Sequence, residues 1–291
     1  MKTNDMNQPV VHAIFIVLAA LCVIPFLLLF MSSISSESSI VNNGYSFWPK
    51  EFSLEAYTYL WSQKLAMFNS YGVTILITVI GTFVGLLISA LLAYPLSRQD
   101  LPIRGILSFI VFFTLLFNGG LVPTYLIYTE VFHMKNTLMA LIVPGLLTNG
   151  FFILLIRTFF ANSIPVQIIE SAYIDGASEF KIFYRMVLPL SLPILATIGL
   201  MLTINYWNDW FNGLVYITEP QLFSIQNLLN RMLSNIQFLQ QNNLGGQNMA
   251  VNLPMNGVRM AMAVVGILPL ILIYPFFQKY FVKGLTIGAV K

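Results

Sequence analysis

Residues 13 to 36 run without a single charged side chain, as do residues 65 to 97, 105 to 129, 136 to 156, 186 to 208 and 260 to 278. These runs constrain the chain more than any motif does. A helix needs about 20 largely apolar residues to cross a hydrocarbon core roughly 30 Å thick, and each run supplies close to that or more. Charged residues make up 9% of the 291 and hydrophobic ones 57%, whereas a soluble domain carries about 25% charged. The pattern predicts an all-α integral membrane protein. Its six transmembrane helices are expected at about 13–33, 71–97, 105–127, 137–157, 187–209 and 259–279, in one transmembrane domain covering 1–291.

The first apolar run is longer than the core of a signal peptide and lacks a clean small-x-small cleavage site, so it reads as an uncleaved anchor. Basic residues set the orientation. With both termini in the cytoplasm, the inner segments hold Lys2, Arg98, Arg104, Arg157, Lys181, Arg185, Lys279, Lys283 and Lys291. The longer outer segments hold Lys50, Lys64, Lys135, Arg231 and Arg259. Basic density is higher inside, and cytoplasmic termini are expected.

Other chemistry is sparse. Cys22 is the single cysteine and lies in an apolar run, so no intramolecular disulfide can form. No cysteine cluster suggests a metal, and no basic run suggests nucleic acid. His12 and His133 are the only histidines and stand far apart in sequence, which offers neither a proton relay nor a catalytic constellation. The tract QFLQQNNLGGQN (237–248) reads as part of a flexible, solvated outer loop over 212–258. Gly81, Gly85, Ser89 and Ala93 recur at spacing four and favour close helix contact. That contact is expected within the chain, ahead of one with a second subunit.

One stretch breaks the apolar monotony. ESAYIDGASEFKIFYRMVLPLSLP (170–193) carries Glu170, Asp175, Glu179, Lys181 and Arg185 between two hydrophobic runs. Ile168, Ile169, Ala172 and Tyr173 share one side of a helix, with Glu170 pointing away. Phe180, Phe183, Tyr184 and Val187 follow the i, i+3, i+4, i+7 rule of a second. Asp175 and Gly176 separate the two as turn and cap residues do, Pro165 suits a helix start, and Pro189 and Pro193 mark entry to the next span. The expected object is a helix, a tight turn and a second helix along the cytoplasmic membrane surface, at about 163–186. An interfacial anchor would prefer a broadly basic face. The acids here suit a protein partner with a basic groove better than an anionic leaflet.

These residues resemble the coupling-loop signature of binding-protein-dependent ABC importer permeases. That signature is written E-A-A, three intervening residues, G, and further on I-x-L-P. Here Glu170-Ser171-Ala172, Gly176 and Val187-Leu188-Pro189 stand in matching order, with Ser171 as a small-for-small change. FNGGLVPTYLI (117–127), YWNDWFNGLVYI (206–217) and YPFFQKYFVKGLTIGAVK (274–291) are similar to the carbohydrate branch of that family, the permeases of maltose and complex oligosaccharides. The N-terminal third matches in hydropathy more than in motif.

The resemblance implies a non-catalytic permease of an ATP-driven oligosaccharide importer in the bacterial plasma (inner) membrane. Its expected partners are a homologous second permease as a heterodimer, two ATPase subunits, an extracytoplasmic solute-binding protein and membrane lipid. By analogy Glu170 pairs with the ATPase, Gly176 sets the turn, Ala172 and Ala177 allow close contact, and Asp175 and Pro189 complete the coupling set. ATP and Mg²⁺ belong to the partner subunits and no cofactor to this chain, which lacks the G-x-x-x-x-G-K-[ST] loop. The rival classes are a secondary transporter, which usually shows repeats and intramembrane charges, an intramembrane enzyme, and a permease of the same family for amino acids or peptides. For the cargo path, Asn205, Trp207, Asn208 and Asp209 place amides, an indole and a carboxylate at the outer end of the fifth span. Asn118 and Asn149 add polar positions in spans three and four. Two readings stay open: a sugar path, or an interfacial aromatic belt with packing and hydrogen-bonding positions.

Overall fold

The computed structural model describes residues 8–242 and 254–289. The described chain is helical, and its only bridge between extended segments is an isolated antiparallel pair, Ser35 with Phe52. Three helices are long and apolar enough to cross a membrane unaided: Gln8–Ser33, the first part of Met255–Ala289 (Met255–Pro275), and Lys64–Ser97. Three more candidates consist of two helices meeting at a sharp bend. Arg104–Leu116 meets Leu121–Val131 at 113°, Gly150–Ser163 meets Val166–Ile174 at 77°, and Glu179–Leu190 meets Leu192–Asn208 at 80°. The described residues thus offer three to six candidate spans by length and composition.

Each break has a local cause. After Leu116, the Asn118 side chain accepts the Gly120 N–H at 2.9 Å, and Gly120 sits at φ 87°, where a β-carbon is unwelcome. Span three is therefore not one continuous helix. The expected fourth span, 137–157, departs further from a continuous helix. Its first part holds only the short helix Met139–Ile142 before Pro144 and Gly145, the latter at φ 70°, end the regular backbone. Regular helix resumes at Gly150, capped by Asn149, whose side chain accepts the Phe151 and Phe152 N–H groups at 2.9 and 3.4 Å. Charge-free length measures apolar sequence, not helix continuity. The stretch 212–258, expected as an outer loop, also differs from a plain loop. Ile225–Asn242 is an amphipathic helix, and the Asn/Gln/Gly residues 243–253 lie outside the described residues.

The chain forms two compact units, Met1–Leu65 with Leu229–Pro269, and Ala66–Leu228 with Leu270–Lys291. In the first, residues 8–27 of the N-terminal helix are exposed on every side although nearly all apolar, as a lipid-facing helix is. Glu37 accepts the Asn256 N–H, the Asn256 side-chain amide and the Gly257 N–H at 3.1, 2.8 and 3.1 Å. A carboxylate thereby meets the positive end of the last helix.

The second unit carries the main apolar core, from Ile77 to Phe223. Its axis is Lys64–Ser97, whose small-residue stripe packs inside this chain. Gly81 receives the Tyr206 ring, Gly85 receives the Leu147 carbonyl, and Ser89 and Ala93 are buried. The irregular stretch 143–149 leaves carbonyls without helical partners, and two nearby ones are claimed from other helices. Tyr206 donates its hydroxyl to the Ile142 oxygen at 2.9 Å, and the Asn212 amide donates to the Pro144 oxygen at 2.9 Å. Such capture is what lets non-helical backbone exist at membrane depth.

Candidate functional site

The charged insert folds as helix, turn, helix. Val166–Ile174 begins after Pro165, which stands at the N-cap with extended backbone. It ends on Gly176 at φ 73°. The Ala177 N–H reaches back to the Ala172 oxygen and the Gly176 N–H to the Tyr173 oxygen, both at 2.9 Å. These are the two bonds of a Schellman cap, whose left-handed position favours glycine. A β-carbon on Gly176 would meet nothing within 4 Å, so backbone conformation and not crowding demands glycine there.

Burial sorts the signature residues. Ala172 is buried and Ala177 half-buried against the core, while Glu170, Asp175 and Pro189 are exposed. Ile169 is buried, and the outer face presents Ile174 at 87% exposure and Phe180 at 71%. The second helix does not keep the expected 3.6-residue stripe. Residues Phe183–Val187 are π-helical, and a turn closed by i→i+5 bonds rolls the faces apart. Phe183 and Val187 are buried, whereas Phe180 and Tyr184 stand outside.

Glu179 is exposed, as expected of an outward acid, yet both of its carboxylate oxygens are engaged by side chains of this chain. Oε2 accepts the Tyr94 hydroxyl at 2.6 Å and Oε1 accepts the Tyr173 hydroxyl. Arg98 donates to the Tyr173 hydroxyl at 3.3 Å and lies 5.3 Å from that ring's centroid. Its guanidinium also grips Asp100 through two bonds of 3.0 and 2.9 Å, which holds the Asp100 carboxyl below its ordinary pKa. Arg157 donates to the Leu96 oxygen at 3.1 Å, a cation on the last carbonyls of Lys64–Ser97.

A second feature lies among the broken helices. A cavity of about 560 Å³ is lined by Asn118, Gly119, Thr114, Thr148 and Asn149 together with apolar side chains such as Phe117. The structure thus brings Asn118 and Asn149 together. It keeps the other four cargo-path candidates apart from that cavity, at the end of Leu192–Asn208. Asn205 and Asn208 are exposed there and Asp209 half-buried, with one oxygen accepting the Asn212 N–H at 3.3 Å. Trp207 is buried, its ring 6.3 Å from that of Tyr71, so it packs the unit and presents no open platform. The exposed aromatics beside it are Trp210 and Phe211. Tyr206 and Asn212 carry the geometry of this region without having been singled out. Their neighbourhood in YWNDWFNG was visible, but the carbonyls that they hold lie far away in sequence. Among the described residues no group of His, Cys, Asp and Glu could hold a metal ion.

Bent apolar helices joined to a capped, charged helical pair are the architecture of an all-helical membrane-protein candidate, and comparison with known proteins identifies its family. The profile of the "Binding-protein-dependent transport system inner membrane component" family matches residues 81–287, and the chain belongs to that family. It is 36% identical over 288 residues, 99% of both chains, to the polygalacturonan/rhamnogalacturonan transport system permease protein YtcP of Bacillus subtilis (strain 168). It is 38% identical over 272 residues, 94% of this chain and 90% of the other, to Protein LplC of the same organism. Among solved structures, a chain from a bacterial ABC transporter involved in the import of the acidic polysaccharide alginate superposes with a TM-score of 0.77 at 29% identity. That match covers 97% of this chain and 99% of the other.

Proposed function

We propose that this chain is the membrane-spanning, non-catalytic translocation subunit of an ATP-driven importer of oligosaccharides. It crosses the bacterial plasma membrane six times with both termini in the cytoplasm. The observation that carries the reading is the capped helical pair at 166–190, whose exposed face combines Glu170 and Asp175 with Ile174, Phe180 and Tyr184. An apolar patch rimmed by charge fits a protein groove, and the family membership supports an ATPase as the owner of that groove. Two such ATPases bind ATP and Mg²⁺. Their closure pushes on Glu170, Asp175 and the Gly176 turn, with Ala172 and Ala177 fixing how the pair seats on the core and the exposed Pro189 marking the passage to the next helix.

The cargo passes between this chain and a homologous second permease, delivered by an extracytoplasmic solute-binding protein. Relatives named for polygalacturonan/rhamnogalacturonan and alginate transport support a carbohydrate. The 560 Å³ cavity suits one chemically. Amides and hydroxyls at Asn118, Thr148 and Asn149 match sugar hydroxyls, and apolar walls match ring faces. Asn205, Asn208 and Asp209, apart from that cavity at the end of Leu192–Asn208, form a separate contact with the cargo, with Trp207 holding their helix. The test is uptake of a labelled oligosaccharide into proteoliposomes containing all subunits. Uptake that requires ATP, the binding protein and this chain bears the proposal out, and uptake without ATP sinks it.

A further inference from the structure

The Glu179 carboxylate joins three pieces of the second unit. Tyr94 lies in the last turn of Lys64–Ser97, Tyr173 in the last turn of Val166–Ile174, and Glu179 opens the helix that follows the Gly176 turn. Both phenol hydroxyls end on this one carboxylate, and hydrogen bonds to an ionised acceptor are the stronger kind. The same helix grips Tyr94 twice, because the Phe183 ring lies 5.3 Å from the Tyr94 ring. Arg98, anchored on Asp100, closes the assembly by holding the Tyr173 hydroxyl and ring.

We infer that Tyr94, Tyr173 and Glu179 form the strut that passes displacement of the surface helices to the long membrane helix Lys64–Ser97. The inference rests on the proposal that a partner ATPase docks at 166–190. The partner-facing residues Glu170, Ile174 and Phe180 are exposed, as are Tyr173 and Glu179, but none of the strut's bonds involves the first three. Docking and transmission are therefore separate tasks of one loop. A strut must resist both bending at the turn and sliding along the core. Tyr173–Glu179 bridges the turn, and Tyr94–Glu179 ties the bridged pair to the core. These are positioning residues, with no contact to cargo required.

The test uses the complete transporter in proteoliposomes. Tyr94→Phe keeps the ring on Phe183 and removes only the hydroxyl, Glu179→Ala removes both acceptors, and Glu179→Gln restores one carbonyl acceptor. Uptake per ATP hydrolysed is expected to fall about two- to thirty-fold in Tyr94→Phe and Glu179→Ala, the range in which substitutions along a coupling network act. Glu179→Gln is expected to fall between these and the unchanged protein. ATPase co-purification stays unchanged in all three. Hydrogen exchange over 166–190 should rise in the first two variants and not elsewhere, which distinguishes a loosened strut from a misfolded chain. Unchanged uptake per ATP and unchanged exchange, with the ATPase retained, overturn the strut alone. An ATPase missing from the unsubstituted preparation overturns the docking proposal and the strut together.

Discussion

A β-carbon built on Gly81 would stand 2.3 Å from Cζ of Tyr206, and the Tyr206 hydroxyl is fixed 2.9 Å from the Ile142 oxygen. The ring cannot withdraw from the helix without dropping that bond. Gly81→Ala should therefore destabilise the purified chain by about 1–3 kcal/mol through overpacking, read as a lowered Tm in detergent. Gly72→Ala, in the same helix with nothing within 4 Å, serves as the control and should hold or raise Tm.

Tyr206→Phe leaves the buried Ile142 carbonyl without its donor and should cost about 1–2 kcal/mol. Combined with Gly81→Ala, it should cost less than the sum, because the freed ring can yield to the new methyl group. A thermal-stability double-mutant cycle measures this coupling. Strict additivity would show that the contact is not shared.

Gly176→Ala places a β-carbon in the left-handed region at a site with open space, so the expected penalty is about 1 kcal/mol of backbone strain alone. Gly176→Asn should cost less, since asparagine tolerates that conformation. Hydrogen exchange of the 172–177 amides should rise for alanine and change little for asparagine, and uptake should follow the same order.

Much of this loop could be read from the sequence because its signals are local. Gly176 after a periodic run, Pro165 before it and Pro189 beyond it are capping chemistry, each acting within a few positions of the helix end it marks. The partners of the exposed Glu179 were not legible, for the opposite reason: Tyr94 lies 85 positions away and no periodicity reports it. The breaks at 117–120 and 143–149 were written in Asn-Gly-Gly and Pro-Gly. Counting charge-free residues hides them, because a broken and an unbroken apolar run have the same composition. The Phe180–Val187 stripe failed for a third reason, since a π-helical turn changes the period on which the stripe was judged.

The cavity makes a separate prediction. Gly119 lines it, and a β-carbon on Gly119 would meet nothing within 4 Å, so Gly119→Trp should direct an indole into the space beside Asn118 and Asn149 with no clash at its β-carbon. Oligosaccharide uptake should fall at least about ten-fold, as expected if cargo must pass that volume. ATPase co-purification should be unaffected. Unchanged uptake would place the path elsewhere.

The most direct measurement is to tag this chain, extract it gently from its native membrane and identify by mass spectrometry what travels with it, before and after Glu170→Arg. An ATP-binding subunit that accompanies the unsubstituted chain and is lost on reversal of that one exposed charge is the predicted result. A chain that travels alone, yet still moves its cargo in liposomes with no ATPase present, would contradict the account.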